Sequence, residues 1–395
     1  MIPYGKQTIE DCDIEAVVAA IESDWLTTGP LVEQFEQQFA KRVHSQNAVA
    51  VSSGTAALHA AMFAAGIGEA DEVIVPAISF VATANAVVFM NAKPVFADVD
   101  PETLLVCPAS VREKITSRTR AIVAVDFAGQ PCDYKALREI ADEFGLTLIA
   151  DACHSLGGAE RERPVGSLAD VNCFSFHPVK PITTCEGGMA TTDSPQFTKR
   201  MRQFRNHGIE TDFRAREKTQ THRYDMTELG FNYRLSDLQS AMGLSQLKRL
   251  DQFTQRRNEI ANRYDQLIEN LIGIEPLARR DDCRHAFHLY VIKVTPKFGP
   301  SRDELFDHLR ANQIGGNVHY RPIYLNSFYR DRFGTKPGLC PQAESSYEQI
   351  ISLPIFPSMT DADIETVVVA IELARRESKT HSTCLLYTSP SPRDS

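Results

Sequence analysis

Short apolar runs alternate with helix-patterned segments through the first half of the chain, and few folds accept that order. The runs cover residues 47–51, 72–76, 94–97, 120–126, 146–150, 171–176 and 188–191. Each is partly β-branched and bounded by turn residues, as buried strands are. Helical patterns over 55–66, 79–90 and 133–144 lie between them. This alternation predicts an α/β fold: a mostly parallel central sheet covered on both faces, with ligands at the carboxyl ends of its strands. Two amphipathic helices, 11–22 and 30–43, precede the sheet.

After Ser236 the pattern changes. Leu238, Ala241, Leu244, Leu247 and Leu250 recur every three residues, which predicts one long packing helix running towards Ile268. A smaller α+β region follows, with strand-like stretches at 288–294 and 316–320 and helices at 302–312 and 361–376. The expected division is a large domain over 1–255, which includes the N-terminal segment, and a small C-terminal domain over 256–378. Residues 379–395 fall outside both. The final stretch, CLLYTSPSPRDS from Cys384, has no periodicity and reads as a non-native or disordered tail.

The 395 residues carry a net charge of −9, which argues against a protein that coats nucleic acid. The nine cysteines include no Cys-x-x-Cys pair, so no zinc ribbon, redox pair or other metal site is expected. Reduced thiols in a cytoplasmic protein are the expectation, with Cys153 and Cys173 as inert core thiols. The N-terminus shows no signal-peptide pattern, and no stretch approaches the ~18 apolar residues of a membrane span.

Three local features carry chemistry. Ser53-Gly54-Thr55 follows an apolar run and opens a helix. Glycine at such a turn lets backbone N–H groups approach an anion, and the helix dipole favours it; the same turn serves equally as a plain N-cap. Asp151 ends the run Leu148-Ile149-Ala150, where an ionised carboxylate needs a cation or several donors, although it too can act as a cap. Lys180 follows Ser175-Phe176-His177-Pro178-Val179 and precedes Pro181 and the pair Gly187-Gly188, an unusual setting for a solvated lysine. Together they fit pyridoxal 5′-phosphate: a turn for the phosphate, a carboxylate for the ring nitrogen and an amine for the aldehyde. Burial would lower the amine from its reference pKa of ~10.4.

With Asn232-Tyr233-Arg234-Leu235-Ser236-Asp237 and Asp151-Ala152-Cys153-His154, these blocks resemble the DegT/DnrJ/EryC1/StrS sugar aminotransferases, from Tyr4 to about Arg376. The resemblance implies the fold type I architecture of pyridoxal-phosphate enzymes, with active sites shared across a homodimer. It implies that Lys180 and Asp151 are catalytic, Lys180 carrying the cofactor and shuttling a proton and Asp151 facing the ring nitrogen. His154 would lie on the ring's hydroxyl side, and Phe80 would stack on the ring. Ser53, Gly54, Thr55 and Ser175 would hold the phosphate, joined by Asn232 from the partner subunit. Tyr4, Asp24, Trp25, Leu26, Thr27, Arg234, Val318, His319, Tyr320 and Arg321 match positions that line a nucleotide-sugar pocket.

The implied reaction moves an amine from L-glutamate to a UDP-linked 4-keto-6-deoxy-N-acetylhexosamine. Residues 177–188, 228–234 and 318–324 are most similar to the branch acting in pseudaminic acid biosynthesis. Another keto-sugar, or a cofactor-binding relative without transaminase activity, is the alternative. Dehydratases of the family replace the lysine with histidine, whereas Lys180 is present here. Cys185, five residues from Lys180, is expected to be a buried inert thiol.

Overall fold

A computed structural model of the chain describes residues 1–211, 216 and 220–386, the stretch 378–386 as backbone only. Its strands, in chain order, are β1 (Asn47–Val51), β2 (Glu72–Pro76), β3 (Lys93–Ala97), β4 (Thr119–Val125), β5 (Thr147–Asp151), β6 (Ala159–Glu160), β7 (Arg163–Pro164), β8 (Val171–Ser175), β9 (Gly188–Thr192), β10 (Ile274–Pro276), β11 (Cys283–Arg284), β12 (Tyr290–Val294) and β13 (Ile350–Leu353). Seven of them form the central sheet in the order β1-β9-β8-β5-β4-β2-β3. The neighbours from β8 to β3 are parallel, while β9 runs antiparallel to both β1 and β8. The loop 176–187 holds no crossover helix, so β9 returns beside β8 in the opposite sense. The fold is the fold type I architecture expected from the sequence.

Helices Gly54–Ala64, Ala82–Phe89 and Tyr134–Phe144 cover the sheet. Strand interiors such as Val73, Ile74, Ile122, Ile149 and Phe174 are fully buried, as two-sided coverage requires. Two apolar cores result. The larger surrounds the seven-stranded sheet, and the smaller surrounds β10-β12-β13 and the C-terminal helix. Helix Leu250–Ile268 serves both, giving Leu250 and Phe253 to the first and Ile260, Ala261, Tyr264 and Ile268 to the second.

Three expectations are corrected. The long helix after Ser236 is two helices, Asp237–Leu247 and Leu250–Ile268. At the break Arg249 has φ −105° and ψ 6°. Its guanidinium pairs with Asp13 and, at 2.6 Å, with Glu10 of the N-terminal segment. The Lys248 and Arg249 amides donate to Ser245 and Gln246, a tighter turn than the α-helix.

Residues 316–320 form no strand. Asn317 makes a single bridge to Ser352, and the Val318 N–H then donates to the Asn317 side chain at 2.8 Å, which diverts it from a ladder. The last helix runs from Asp361 to Leu386, beyond the expected end at Arg376 and into the stretch read as tail. No glycine or proline occurs between Arg376 and Pro390 to stop it. Residues 387–395 lie outside the described residues.

Candidate active site

The carboxyl ends of β4, β5 and β8 meet at one edge of the sheet, where Val125 is in register with Asp151 and Asp151 with Cys173. This edge gathers the residues that the sequence marks. Ser53 caps helix Gly54–Ala64, its hydroxyl accepting from the Ala56 N–H at 3.1 Å. A Cβ on Gly54 would lie 2.7 Å from the Ser175 Cβ and 3.1 Å from the Cys153 sulfur. Only glycine lets the Ser53–Thr55 turn approach the ends of β5 and β8 so closely. Gly188 answers a similar constraint, since a Cβ there would sit 2.3 Å from the Ser53 carbonyl oxygen. Gly188, at the start of β9, therefore makes room for the turn, while a Cβ on Gly187 would meet the Thr184 hydroxyl at 2.2 Å.

Lys180 rides on the loop between β8 and β9, whose neck is tied shut. Phe176 N–H donates to the Gly187 carbonyl at 2.8 Å, and Thr184 N–H and the Thr183 hydroxyl both donate to the Phe176 carbonyl at 3.0 Å. The Lys180 N–H closes a turn onto the His177 carbonyl at 2.9 Å. The side chain is half-buried. Loss of hydration lowers its pKa, against the opposing pull of Cys153 and Asp151.

Asp151 is 6% exposed. One carboxylate oxygen accepts from the Thr83 hydroxyl at 2.7 Å and the other from the Cys153 N–H at 3.3 Å. Each oxygen keeps acceptor capacity for a further donor. His154 is buried and held neutral, its pKa pushed well down by burial and then by the charge of Lys180. Its Nε2 lies 3.2 Å from the Tyr320 hydroxyl, while its Nδ1 is buried and unpartnered. Tyr320 also approaches Phe80, with ring centroids 6.0 Å apart, and His319 packs on Tyr4 at 5.8 Å. Burial pushes His319 down to about 3.

The structure thus brings Ser53, Gly54, Ser175, Asp151, His154, Phe80, Tyr320, His319 and Tyr4 into one connected neighbourhood around Lys180. Phe80 keeps 55% of its surface exposed at the mouth. Val318 is half-buried and Arg321 exposed on the same C-terminal loop. A second group is not joined to Lys180 by any of these contacts. Asp24, Trp25, Leu26 and Thr27 are exposed; Thr27 bridges Ser236, and the Leu26 carbonyl accepts from the Asp237 N–H. Arg234 donates to Asn206 at 2.8 Å, and Asn206 bridges the exposed Asn232.

Cys185 is a correction. It is exposed, not buried, at the left-handed tip of the Lys180 loop with φ 66°, where its N–H is turned back onto the Thr183 hydroxyl. Burial keeps the Cys153 and Cys173 thiols far above their usual pKa, so neither ionises.

The sequence reading did not single out Thr83, Ser79 or His288. His288 is buried and stacks at 4.4 Å on His154. The signal for Ser79 and Thr83 was their hydroxyls, four residues apart in an otherwise apolar segment. No group of three or more metal-ligating side chains occurs among the described residues. No helix among them is long and apolar enough to cross a membrane.

The profile of the DegT/DnrJ/EryC1/StrS aminotransferase family matches residues 7–372. The chain belongs to that family. It is 39% identical over 373 residues to the spore coat polysaccharide biosynthesis protein SpsC of Bacillus subtilis, covering 94% of this chain and 96% of SpsC. Among solved structures it is similar to the sugar aminotransferase Spr1654 of Streptococcus pneumoniae in its PMP form, with TM-score 0.89, 29% identity, and 96% and 100% of the two chains covered. The PLP form of that protein superposes with TM-score 0.88. Helicobacter pylori PseC, an aminotransferase of pseudaminic acid biosynthesis, matches with TM-score 0.88 and 30% identity over 95% and 99% of the two chains.

The cofactor of this DegT/DnrJ/EryC1/StrS aminotransferase is therefore pyridoxal 5′-phosphate. The residues present fit that group. A desolvated amine suits its aldehyde, a buried carboxylate its ring nitrogen, the orphaned His154 Nδ1 a polar ring substituent, and the glycine-cleared turn its phosphate.

Proposed function

We propose that this aminotransferase moves the amine of L-glutamate onto C4 of a UDP-linked 4-keto-6-deoxy-N-acetylhexosamine, in a pathway of the pseudaminic acid type. The observation that carries the reading is the half-buried Lys180 amine, with a lowered pKa, on a tied loop beside Asp151. When bound, pyridoxal 5′-phosphate supplies an electron-withdrawing ring that makes the C–H bond beside the transferred nitrogen acidic. The chain supplies the rest. Lys180 Nζ takes the proton from the donor's α-carbon and later delivers one to the sugar C4, work for which a neutral amine near the operating pH is suited. Asp151 holds a positive charge on the ring nitrogen.

His154, whose Nδ1 has no partner in the protein, would hydrogen-bond the ring's hydroxyl side, and Phe80 would cover one face. Ser53, Gly54, Thr55 and Ser175 receive the phosphate, with Asn232 of a second copy completing the cradle in a homodimer. Tyr4, Asp24, Trp25, Leu26, Thr27, Arg234, Val318, His319, Tyr320 and Arg321 bound the nucleotide sugar. The exposed Arg321 offers a fixed cation to its diphosphate.

The likeness to PseC supports the pathway. The higher identity to SpsC favours, as a second reading, a different keto-sugar in the same reaction. Incubation with glutamate and a panel of 4-keto nucleotide sugars, read by mass spectrometry, decides between them. Conversion of the UDP-linked N-acetyl sugar to its 4-amino product is expected. Conversion of only a dTDP-linked or non-acetylated sugar would move the assignment to the second reading, and no conversion of any would reject both.

A further inference from the structure

Asp151 does not stand alone at the end of β5. Thr83, fully buried on the first turn of helix Ala82–Phe89, donates its hydroxyl to Asp151 Oδ2 at 2.7 Å. Ser79, 3% exposed and one turn earlier, lies 2.7 Å from the same Thr83 oxygen. An ionised carboxylate only accepts. The Thr83 proton is therefore committed to Asp151, and the Ser79 proton must point at Thr83. The result is a one-way relay, Ser79 to Thr83 to Asp151, ending on the carboxylate oxygen that the Cys153 N–H does not use. The short connection between these hydroxyls carries Phe80, so one turn of chain holds both this aromatic side chain and the donor to the carboxylate.

We infer that Thr83, supported by Ser79, is a positioning residue that holds Asp151 as an oriented anion and so keeps the proton of the Asp151–cofactor pair on the ring nitrogen. This inference rests on the reading that Asp151 faces that nitrogen. The reasoning is one of matched proton affinities. A hydroxyl donated to a carboxylate stabilises its anion, so the carboxylate competes less for the shared proton. Without that donor, the buried Asp151 draws the proton towards itself, and the ring loses its positive charge and its pull on electrons. The Thr83 hydroxyl is engaged by Asp151 and Ser79, so its effect on the ring runs through Asp151.

The test loads the full chain with pyridoxal 5′-phosphate labelled with ¹⁵N in the ring and records the nitrogen chemical shift at one near-neutral pH. Thr83→Val removes the hydroxyl at nearly constant volume. Its expected signal moves from the protonated towards the unprotonated position. Its kcat should fall about tenfold, as loss of one hydrogen bond to a charged group implies, with little change in KM for glutamate. Thr83→Ser, which keeps the donor, should restore both.

Because Thr83→Val leaves the Ser79 hydroxyl buried without its partner, the double variant Ser79→Ala/Thr83→Val separates this cost from the effect on the ring. Ser79→Ala alone should shift the signal in the same direction by less. Asp151→Asn serves as the reference for the underlying reading. If it moves the nitrogen signal and none of the Thr83 or Ser79 variants does, the relay is refuted and the site stands. If Asp151→Asn itself leaves the signal unmoved, Asp151 does not face the ring, and the inference falls with that reading.

Discussion

The cofactor-facing edge of the sheet and the exposed rim around it are built in opposite ways. At the edge, Asp151, Thr83 and Gly54 are buried at the ends of strands or the starts of helices, each fixed by a hydrogen bond or by lack of space, and His154 is buried in the turn after β5. At the rim, Trp25, Leu26, Thr27, Asn232 and Arg321 are exposed and come from three segments far apart in the chain. On the proposed assignment, the edge frames the cofactor chemistry, and the exposed rim is where sequence can change without disturbing the sheet.

Variants can break or sharpen this contrast. Lys180→Ala should have the largest effect, lowering turnover by at least about 10²–10⁴-fold while the circular dichroism spectrum and melting temperature stay near wild type. Retained turnover would overturn the contrast at its base. Gly54→Ala should rank second. Its Cβ meets Ser175 at 2.7 Å, and such overpacking costs about 1–3 kcal/mol. Equilibrium titration should read this as weaker binding of pyridoxal 5′-phosphate, and an unchanged affinity would remove the turn from the cofactor site.

Arg321→Ala probes the rim. It should raise KM for the nucleotide sugar about tenfold, the scale of one charged hydrogen bond, and leave the half-reaction with glutamate alone untouched. A loss in that half-reaction would mean that rim and edge are not separable.

The last prediction concerns stability and not turnover: His59 is buried against Phe204, Phe231 and Tyr233 and held neutral by burial down to about 4. Below the unfolded value of 6.5 the unfolded chain binds a proton that the folded chain refuses. Stability should therefore fall as pH drops from 6.5 towards 4, by about 1.4 kcal/mol per unit for each such histidine. Urea titrations of His59→Gln should show a shallower slope across that window; an equal slope would show that His59 is not neutral in the fold.

The same contrast explains what could be read from sequence. Lys180 and Asp151 were legible because an apolar run that stops at a charged residue marks a strand end, and a lysine between prolines and paired glycines has no place on a polar helix face. The break at Lys248-Arg249 was not, because the apolar period continues through it. The break is set by Asp13 and Glu10, more than two hundred residues away in the chain. Thr83 was only faintly legible: its hydroxyl and that of Ser79 stand four residues apart in an apolar segment, but the partner that gives them meaning lies 68 residues on. Nothing in the sequence marks Cys185 as reactive, and its exposed place at a left-handed turn depends on the closure of the Lys180 loop, which local sequence does not announce.

Reduction of the cofactor-loaded protein with borohydride, followed by protease digestion and peptide mass spectrometry, reads out the bond on which everything else depends. The account predicts that the pyridoxyl group is found on the peptide containing Lys180 and on no other. Its recovery on a different lysine, or on none, would contradict the account directly.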